Sequence, residues 1–432
     1  MKKVLIISYY WPPCGGAGVQ RWVKFAKYLP QFGWEPTVYT PENPEMPVLD
    51  HSLEKDVENV KTLKQPIWEP YSLYKKFTGQ NKDTKIQTGF LSEKKKPAIT
   101  EKISVWLRGN LFIPDARKFW IKPSVGFLTK YLRDNPVDVI VSTGPPHSMH
   151  LIALGIKEKI NIPWLADFRD PWTNIDYYKD LLLSGWADRL HHKLERDVLK
   201  TADKVITVSH HWSNDLEKIR NKKVDVITNG FDENDFNLPI EIKTDNSFTI
   251  AHVGSLFIDR NPYLLWDAIA ELCGEVSGFK KTLKLKFVGK TDYEVLDYLD
   301  KIHLTACVEK INYLSHDEII KIYKSSQVLL LLLSNVPNYK GHIPGKTFEY
   351  LASGRPILLV GPADGDASNI VNSTKAGKTA AFDNKRELKN SVKEFYLAYL
   401  DGTLKVESEN ISQFSRKNLT RHLATVLNEM II

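Results

Sequence analysis

The sequence has little cysteine, and the cysteines it has are scattered. Cys14, Cys273 and Cys307 are odd in number and lie far apart along the 432 residues. This pattern excludes a disulfide framework and the closely spaced Cys and His ligands of a structural zinc site. We therefore expect a reduced, cytoplasmic protein that needs no structural metal.

The sequence also lacks a long apolar run. The longest run, Val328 to Leu333, has the length of a core strand and falls well short of the ~20 residues that span a bilayer. A short apolar run at the N-terminus leads into a glycine-rich turn, which argues against a signal peptide. The 42% apolar and 26% charged content are typical of globular proteins, and 432 residues favour two domains.

Acidic residues are scarce in one segment. The net charge is +7, and between Lys75 and Lys122 twelve Lys and Arg residues stand against four Asp and Glu, so the remainder is close to neutral. Aromatic and aliphatic residues are interleaved with these cations over residues 70–123, a composition that suits an anionic membrane surface. A solvated insertion with a few rings packed into the domain fits equally well. No base-reading motif points to nucleic acid.

The N-terminal half begins with a βαβ unit whose first strand, Val4 to Ser8, leads into a glycine-rich loop. The loop glycines, Gly15, Gly16 and Gly18, do not match the GxGxxG dinucleotide fingerprint, so we do not predict an NAD site. Two interpretations remain: close approach of a ligand to the backbone, which strand ends in such sheets favour, or a merely tight turn.

Two later strand ends in this half also carry polar residues. His147 opens a helix after a predicted strand, where the helix dipole favours its neutral form, although a structural role is equally consistent. Asp167, Arg169 and Asp170 crowd the end of the next strand. Of a bound partner, an internal ion pair and plain solvation, we favour an internal arginine–carboxylate clamp.

The C-terminal half contains a second α/β series after a polar linker over residues 232–246. Its most readable stretch, GHIPGKTFEYLASGRPILLVG, predicts a loop, a short helix ended by Gly354, and a buried strand. Lys346 and Glu349 lie in the first turn of that helix, whose N-terminus suits a phosphate group. An ordinary surface Lys–Glu pair is the alternative interpretation.

These motifs, taken in order, resemble the GT-B glycosyltransferases, and most specifically the retaining enzymes of glycosyltransferase family 4. The resemblance covers nearly the whole chain and rests on five stretches: PPCGGAGVQRW, TADKVITVSHHW, ITNGFD, HVGSLFIDRN and GKTFEYLASGRPIL. It implies two doubly wound Rossmann-like domains that face each other across a cleft, an acceptor-side domain over residues 1–235 and a nucleotide-sugar domain over residues 246–405. Residues 406–432 would form a C-terminal helix that packs back on the first domain.

The resemblance also implies roles for particular residues. Glu349 matches the second glutamate of the family's paired-glutamate signature, which holds the nucleotide ribose, and Arg260 falls where a lysine usually contacts the donor diphosphate. The catalytic set is His147, Arg260 and Lys346. The nucleotide-sugar-binding set is Gly254, Ser255, Arg260, Gly289, Tyr313, Leu314, Lys346 and Glu349. The acceptor-side set is Gly15, Gly16, Gly18, Arg169 and Asp170.

The chain departs from the family pattern at two positions. Gly341 stands where the first glutamate of the signature would fall, and Ser255 stands where a diphosphate-binding arginine is usual. Lys346 would supply the missing charge from another direction.

The resemblance implies transfer of a sugar, with retention, from a nucleotide-sugar donor to a lipid-linked or polysaccharide acceptor in cell-surface glycan biosynthesis. No metal or cofactor is expected, and the protein would be cytoplasmic or peripheral at the inner face of the membrane. A sugar-nucleotide 2-epimerase of the same fold and an inactive nucleotide-binding homologue are the alternatives.

Overall fold

The computed structural model describes residues 1–46, 48–69, 99–237, 242–312, 314–336 and 338–431. The chain divides into two compact units, Met1–Thr228 with Arg416–Ile432, and Asn229–Ser415. The sequence predicts boundaries at residues 235, 246 and 405. In the structure, residues 229–235 and 406–415 belong to the second unit.

The first unit is built on a seven-stranded sheet in the order β3-β2-β1-β4-β5-β6-β7, and every pair in it is parallel. Its elements along the chain are β1 Lys2–Ile7, α1 Ala17–Tyr28, β2 Trp34–Pro41, β3 Lys61–Gln65, α2 Ile99–Leu111, α3 Lys118–Asp134, β4 Val139–Gly144, α4 Ser148–Ile160, β5 Trp164–Phe168, α5 Gly185–Thr201, β6 Lys204–Thr207, α6 His210–Arg220 and β7 Asp225–Val226. The central strands are continuous apolar runs because helices cover both faces of the sheet.

The second unit repeats this plan with a six-stranded parallel sheet in the order β10-β9-β8-β11-β12-β13. Its elements are α7 Glu233–Phe236, β8 Phe248–Val253, α8 Tyr263–Glu275, α9 Phe279–Thr282, β9 Leu283–Val288, α10 Tyr293–Lys301, β10 Val308–Ile311, α11 His316–Ser325, β11 Val328–Leu332, α12 Lys346–Ser353, β12 Ile357–Val360, α13 Asp366–Ser373, β13 Gly377–Ala380 and α14 Lys385–Leu400. The two doubly wound α/β sheets confirm the predicted fold class.

The last helix of the chain belongs to the first unit. This helix, α15 Arg416–Asn428, buries Leu423 and Leu427 in the same core cluster as Val23 and Trp34. The Asn428 side chain accepts hydrogen bonds from Lys2 Nζ at 2.7 Å and from Trp34 Nε1 at 3.2 Å. The end of the chain is thereby fixed to the beginning of the first sheet.

The segment around α12 folds as its sequence predicts. Phe348 and Leu351 are buried on the inner face of α12, and Gly354 ends the helix in the left-handed conformation at φ 69°. Only glycine adopts that conformation without strain, which explains the sharp turn into β12. The first turn of α12, with Lys346 and Glu349, is therefore fixed by two core contacts and one glycine.

The predicted basic aromatic insertion is partly described. Residues 70–98 lie outside the described residues, whereas residues 99–123 form α2 and the start of α3. Trp120 is fully buried and stacks on Tyr39 with ring centroids 4.8 Å apart and an interplanar angle of 5°. Phe119 and Trp106 are exposed. Rings from this segment thus serve both the core and the surface. Among the described helices, none combines the length and the apolarity that crossing a bilayer requires.

Candidate functional site

Both sheets have a point where the strand order reverses, and loops at such points bind ligands in open α/β sheets. In the second unit this point lies between β8 and β11, because the chain runs outward to β10 on one side and to β13 on the other. The loops that follow β8 and β11 carry Arg260, Ser334 and Tyr339. We take this edge of the second sheet as the candidate site.

The Arg260 guanidinium links the two loops. Its Nε donates to Ser334 Oγ at 3.1 Å, and its Nη2 lies 3.5 Å from the Tyr339 hydroxyl. Ser334 in turn donates to Asp259 at 2.9 Å. The Arg260 side chain is 29% exposed. Its Nε also lies 3.8 Å from Asp259 Oδ2, so the guanidinium is held in place on one side and remains partly accessible on the other.

Lys346 reaches the same edge from the first turn of α12. Its Nζ donates to the Val253 carbonyl, the last residue of β8, at 2.9 Å. Burial, together with the nearby positive charge of Arg260, lowers the pKa of Lys346 to about 7, and Glu349 opposes both effects. Two cations this close together repel each other, and an anion bound between them would relieve that repulsion.

Two histidines near these cations are held neutral. Burial, with the charges of Arg260 and Lys346, lowers the pKa of His342 to about 4. Burial also lowers the pKa of His252 well below its ordinary value, and its Nδ1 lies 3.0 Å from the Leu330 carbonyl. The positive charge of the site therefore comes from Arg260 and Lys346 rather than from imidazolium groups.

Glu349 lies one turn along α12 from Lys346. The Tyr323 hydroxyl donates to its Oε2 at 2.8 Å, and the carboxylate is half-buried. The Tyr323 hydroxyl orients the carboxylate, and among the described residues its other oxygen receives no hydrogen bond, so it can accept one from a sugar hydroxyl. His316 is also close, since the carboxylates of Asp235 and Glu349 raise its pKa.

Gly254 and Gly289 end adjacent strands in left-handed turns, at φ 112° and φ 114°. A Cβ placed on Gly289 would lie 3.0 Å from the Gly254 carbonyl oxygen. The Leu256 amide then donates to the Lys290 carbonyl at 2.8 Å. The two loops approach each other closely because neither glycine has a side chain. Gly289 therefore shapes the site through its backbone.

The remaining members of the predicted donor set are placed as follows. Ser255 follows Gly254 with a half-buried side chain. Leu314 packs against the core beneath the sheet edge. Tyr313 lies outside the described residues. Gly341, at the position of the missing glutamate, is buried at the end of a short 3-10 helix.

In the first unit an internal arginine–carboxylate clamp exists, but its arginine is not Arg169. Asp167 is fully buried and receives Arg21 Nε at 3.2 Å and Arg21 Nη2 at 3.1 Å. Trp22 Nε1 donates to it at 2.7 Å and Thr143 Oγ1 at 3.0 Å. The expectation that the clamp would form within the Asp167–Asp170 cluster is therefore wrong, because the partner comes from α1.

Arg169 instead contacts backbone carbonyls and the glycine loop. Its Nε donates to the Gly144 carbonyl at 3.3 Å, and its Nη2 donates to the Pro145 carbonyl. A Cβ on Gly18 would lie only 2.0 Å from Arg169 Nη1. A Cβ on Gly15 would lie 2.8 Å from the Asp50 Cβ. The protein's own groups thus occupy the space beside two of these glycines, whereas Gly16, at φ 107°, has open space around it.

His147 lies at the start of α4, at the carboxyl end of β4. Its ring stacks on Trp172 with centroids 4.5 Å apart and is only 8% exposed. Its Nδ1 has no hydrogen-bond partner within the described ranges. Burial lowers the pKa of His147 well below its ordinary value, and the charges of neighbouring groups lower it further. The ring is therefore neutral. Burial is the main cause of this, rather than the helix dipole on which the sequence-based expectation relied.

Asp170 is the least satisfied carboxylate at this edge. It is half-buried, and the described part of the chain offers it neither a hydrogen bond nor an ion pair. Its burial raises its pKa, while Arg169 acts in the opposite direction. Such a group can accept a hydrogen bond from a sugar hydroxyl more readily than the clamped Asp167 can.

The structure therefore brings Arg260, Lys346 and Glu349 together at one sheet edge of the second unit. In the first unit it gathers Gly18, Arg169, Asp170 and His147 at the corresponding edge. Sequence reasoning missed several residues that contact or surround the groups at these two edges, namely Arg21, Tyr323, Ser334, Tyr339 and His342. Of these, Arg21 lies inside PPCGGAGVQRW, and His342 lies inside GHIPGKTFEYLASGRPILLVG. No cluster of three His, Cys, Asp or Glu side chains that could hold a metal ion occurs in the described ranges.

Known proteins resemble this chain in part of its sequence and in its fold. Residues 90–235 match the family model described as Glycosyltransferase Family 4, about a third of the chain. No curated protein sequence matches. The whole chain is similar in structure to a glycosyltransferase from Rickettsia africae ESF-5, with a TM-score of 0.63, 14% identity, and coverage of 100% of this chain and 98% of that one.

Further solved structures share the fold at low identity. Anabaena Alr3699/HepE in complex with UDP-glucose has a TM-score of 0.59 and 14% identity, and the alignment covers 99% of this chain and 100% of that one. The lipopolysaccharide outer core galactosyltransferase WaaB has a TM-score of 0.58 and 12% identity with the same coverage. A Listeria monocytogenes structure described as a UDP-N-acetylglucosamine 2-epimerase scores 0.53 at 9% identity, covering 99% and 96%. The solved structures thus share the two-sheet α/β fold of this chain, and the family match covers residues 90–235.

Proposed function

We propose that this protein transfers a sugar from a nucleotide-sugar donor to a lipid-linked or polysaccharide acceptor, with retention and without a metal ion, in cell-surface glycan biosynthesis. The observation that carries the proposal is the convergence of Arg260 and Lys346 at the carboxyl ends of β8 and β11. Both cations are fixed by hydrogen bonds to the protein and both remain partly open. They suit the diphosphate of a nucleotide sugar.

The proposed chemistry follows from where charge develops. When the bond between the sugar and the donor diphosphate breaks, negative charge accumulates on the departing phosphate oxygens. Preorganised cations at that position stabilise the transition state more than the ground state. Arg260 and Lys346 would have this role, and Glu349 would hold the ribose hydroxyls with the oxygen that Tyr323 leaves free. Retention, and His147 as a group near the transferred sugar, rest on the family resemblance.

The acceptor side is proposed for the first unit. Asp170 provides a half-buried carboxylate that forms no ion pair within the described ranges, and Arg169 provides a fixed guanidinium beside Gly18. The family match, over residues 90–235, also falls on this unit and the first residues of the second. The lipopolysaccharide acceptor of WaaB and the UDP-glucose bound to HepE are the kinds of substrate that this fold accommodates in other proteins.

A thermal-shift screen over nucleoside diphosphates and nucleotide sugars tests the proposal. A donor that binds the folded protein alone raises the melting temperature, by an amount that grows with its concentration over Kd. We expect one nucleotide family to shift it, and Arg260→Ala to abolish the shift. Absence of any shift across the panel would refute the donor site.

The 2-epimerase interpretation is kept because one structural neighbour is described as such an enzyme. An epimerase converts free nucleotide sugar in the absence of an acceptor, whereas a transferase needs the acceptor for turnover. An inactive homologue would bind the nucleotide and do neither. The inactive homologue is considered because Gly341 stands where the family signature has a carboxylate.

The pH dependence of nucleotide binding should expose the charge state of Lys346. Its pKa is lowered to about 7 in the free protein. A bound diphosphate favours the protonated form and raises that pKa, so binding above pH 7 takes up a proton. Affinity for UDP or the matching diphosphate should therefore fall as the pH rises from 7 to 9, approaching about tenfold per pH unit. Calorimetry in buffers of different ionisation enthalpy measures both the affinity and the proton uptake.

Lys346→Arg is the matched variant for this measurement. The guanidinium stays charged at every pH of the series, so the affinity of the variant should be nearly independent of pH. If the wild-type protein and Lys346→Arg show the same slope, Lys346 does not titrate on binding and the assigned role is incorrect.

A further inference from the structure

One face of α2 is apolar and exposed. Ile103, Trp106, Leu107 and Leu111 recur at a spacing of three and four residues, which places them on neighbouring turns of the helix. Their exposed fractions are 53%, 43%, 37% and 52%. A helix usually turns such a stripe toward the core. In the described part of the chain, no other element fully covers the apolar stripe of α2, and its side chains remain exposed.

The apolar surface continues beyond α2 at both sides of its C-terminal turn. Asn110 Nδ2 donates to the Leu182 carbonyl at 3.2 Å, and the Ser184 amide donates to Asn110 Oδ1 at 2.7 Å. These bonds place Leu182, which is 46% exposed, and the start of α5 beside α2. Trp186, two residues after Ser184, is 60% exposed.

On the other side, Lys118 Nζ donates to the Leu111 carbonyl at 2.8 Å. Phe119 follows, 43% exposed, and its ring centroid lies 4.9 Å from that of Trp68, which is 54% exposed. We call this surface the exposed apolar face. Its members are Trp68, Ile103, Trp106, Leu107, Leu111, Phe119, Leu182 and Trp186.

Tryptophan is distributed unevenly between this face and the rest of the protein. The chain has eleven tryptophans, all within the described ranges, and eight of them are buried. The three exposed ones, Trp68, Trp106 and Trp186, all belong to the exposed apolar face. Tryptophan is the residue that prefers the boundary between lipid headgroups and acyl chains, since its ring is apolar and its N–H needs a polar partner.

The charge around the face favours an anionic partner. Residues 99–122 contain five Lys and Arg against two Asp and Glu. Asp115 is engaged inside the unit, where it accepts from the Ser148 amide at 2.9 Å. Lys118 lies 5.5 Å over the Phe119 ring, and Lys122 is exposed one turn further along α3. Arg117 is engaged inside the unit as well, in an ion pair with Glu69 at 3.1 Å, so the described cations at the rim of the face are Arg108, Lys118 and Lys122.

We propose that the exposed apolar face docks the first unit onto a bilayer that contains anionic lipid. The tryptophans and leucines would enter the headgroup boundary, and the cations at the rim would contact lipid phosphates. This inference deepens the proposed function, because a membrane-docked acceptor-side unit has direct access to a lipid-linked acceptor. It explains why apolar side chains lie on the surface of a helix that adjoins the basic stretch of the sequence.

Vesicle sedimentation and tryptophan fluorescence test the inference on the full chain without any donor. The vesicles are phosphatidylcholine alone, and phosphatidylcholine mixed with phosphatidylglycerol in equal parts. We expect binding to the mixed vesicles, weakened by salt, with a blue shift of tryptophan emission and quenching by brominated acyl chains. The pair Trp106→Ser with Trp186→Ser should weaken binding by about tenfold or more. Tyr293→Ser removes an aromatic ring that is 78% exposed on the second unit and should leave binding unchanged.

Three results would overturn the inference. The protein could fail to sediment with the mixed vesicles, or it could bind neutral and mixed vesicles equally. The third such result is that the double variant binds the mixed vesicles as tightly as the wild-type protein does. If the exposed tryptophans of the free protein also resist quenching by acrylamide, a second copy of the chain or residues 70–98 cover the face instead. Nucleotide thermal shifts, measured without vesicles, report separately on the donor site, so failure of one proposal is distinguishable from failure of the other.

Discussion

Lys346→Ala is expected to lower the turnover of the transfer reaction about a hundredfold, which corresponds to ~3 kcal/mol of transition-state stabilisation. The Nζ of Lys346 is fixed by one hydrogen bond to the Val253 carbonyl and lies within the field of Arg260. A charge held in place before the reaction begins needs no reorganisation when the diphosphate departs. Removing it should reduce kcat more than it raises KM, because the charge on the phosphate grows as the bond breaks.

Two further lysine variants serve as controls for this prediction. Lys346→Arg keeps the charge and should retain a substantial part of the activity. Lys340→Ala removes an exposed lysine that pairs with Asp364 in the same unit, and it should behave as the wild-type protein. Arg260→Ala should resemble Lys346→Ala in size, since its guanidinium is the other cation of the site. Initial rates with a saturating acceptor give both constants. Near wild-type turnover in both alanine variants would exclude the assigned role.

Much of the second unit can be predicted from sequence because its signals are local. The helix at Lys346–Ser353 follows from apolar spacing, and its end follows from a single glycine. The position of Lys346 and Glu349 in the first turn is then fixed by helix geometry. Strands such as Val328–Leu332 are recognisable because burial on both faces demands an uninterrupted apolar run.

The contacts that orient the site are not local and were missed. Arg260 is held by Ser334 and Tyr339, which lie more than seventy residues further along the chain. Their meeting depends on β8 and β11 being neighbours in the sheet, and nothing in either loop indicates that. The glycine loop illustrates the same limit. Its glycines signal close approach, but the sequence does not say that Arg169 is the group that approaches Gly18.

Asp167→Ala should be the most destabilising single change in the first unit, at a cost of about 3–5 kcal/mol. The Asp167 carboxylate is inaccessible to solvent and receives donors from Arg21, Trp22 and Thr143. Alanine would leave the Arg21 guanidinium buried without its counter-charge. Among the described residues, Arg21 would retain the hydrogen bond from its Nη1 to the Thr228 carbonyl at 2.8 Å and its contact with the Phe25 ring, but no counter-charge.

Denaturant unfolding, followed by a tryptophan signal from the first unit, measures this loss. Asp170→Ala is the matched control, since Asp170 lies at the end of the same strand without a hydrogen bond in the described structure. Burial raises the Asp170 pKa, which indicates that its charge is not stabilised there, so its removal should cost little. The double variant Arg21→Met with Asp167→Leu should be less destabilised than Asp167→Ala, because it leaves no unpaired charge in the core. If Asp167→Ala and Asp170→Ala were equally stable, the clamp between α1 and β5 would contribute nothing to holding the candidate acceptor edge together.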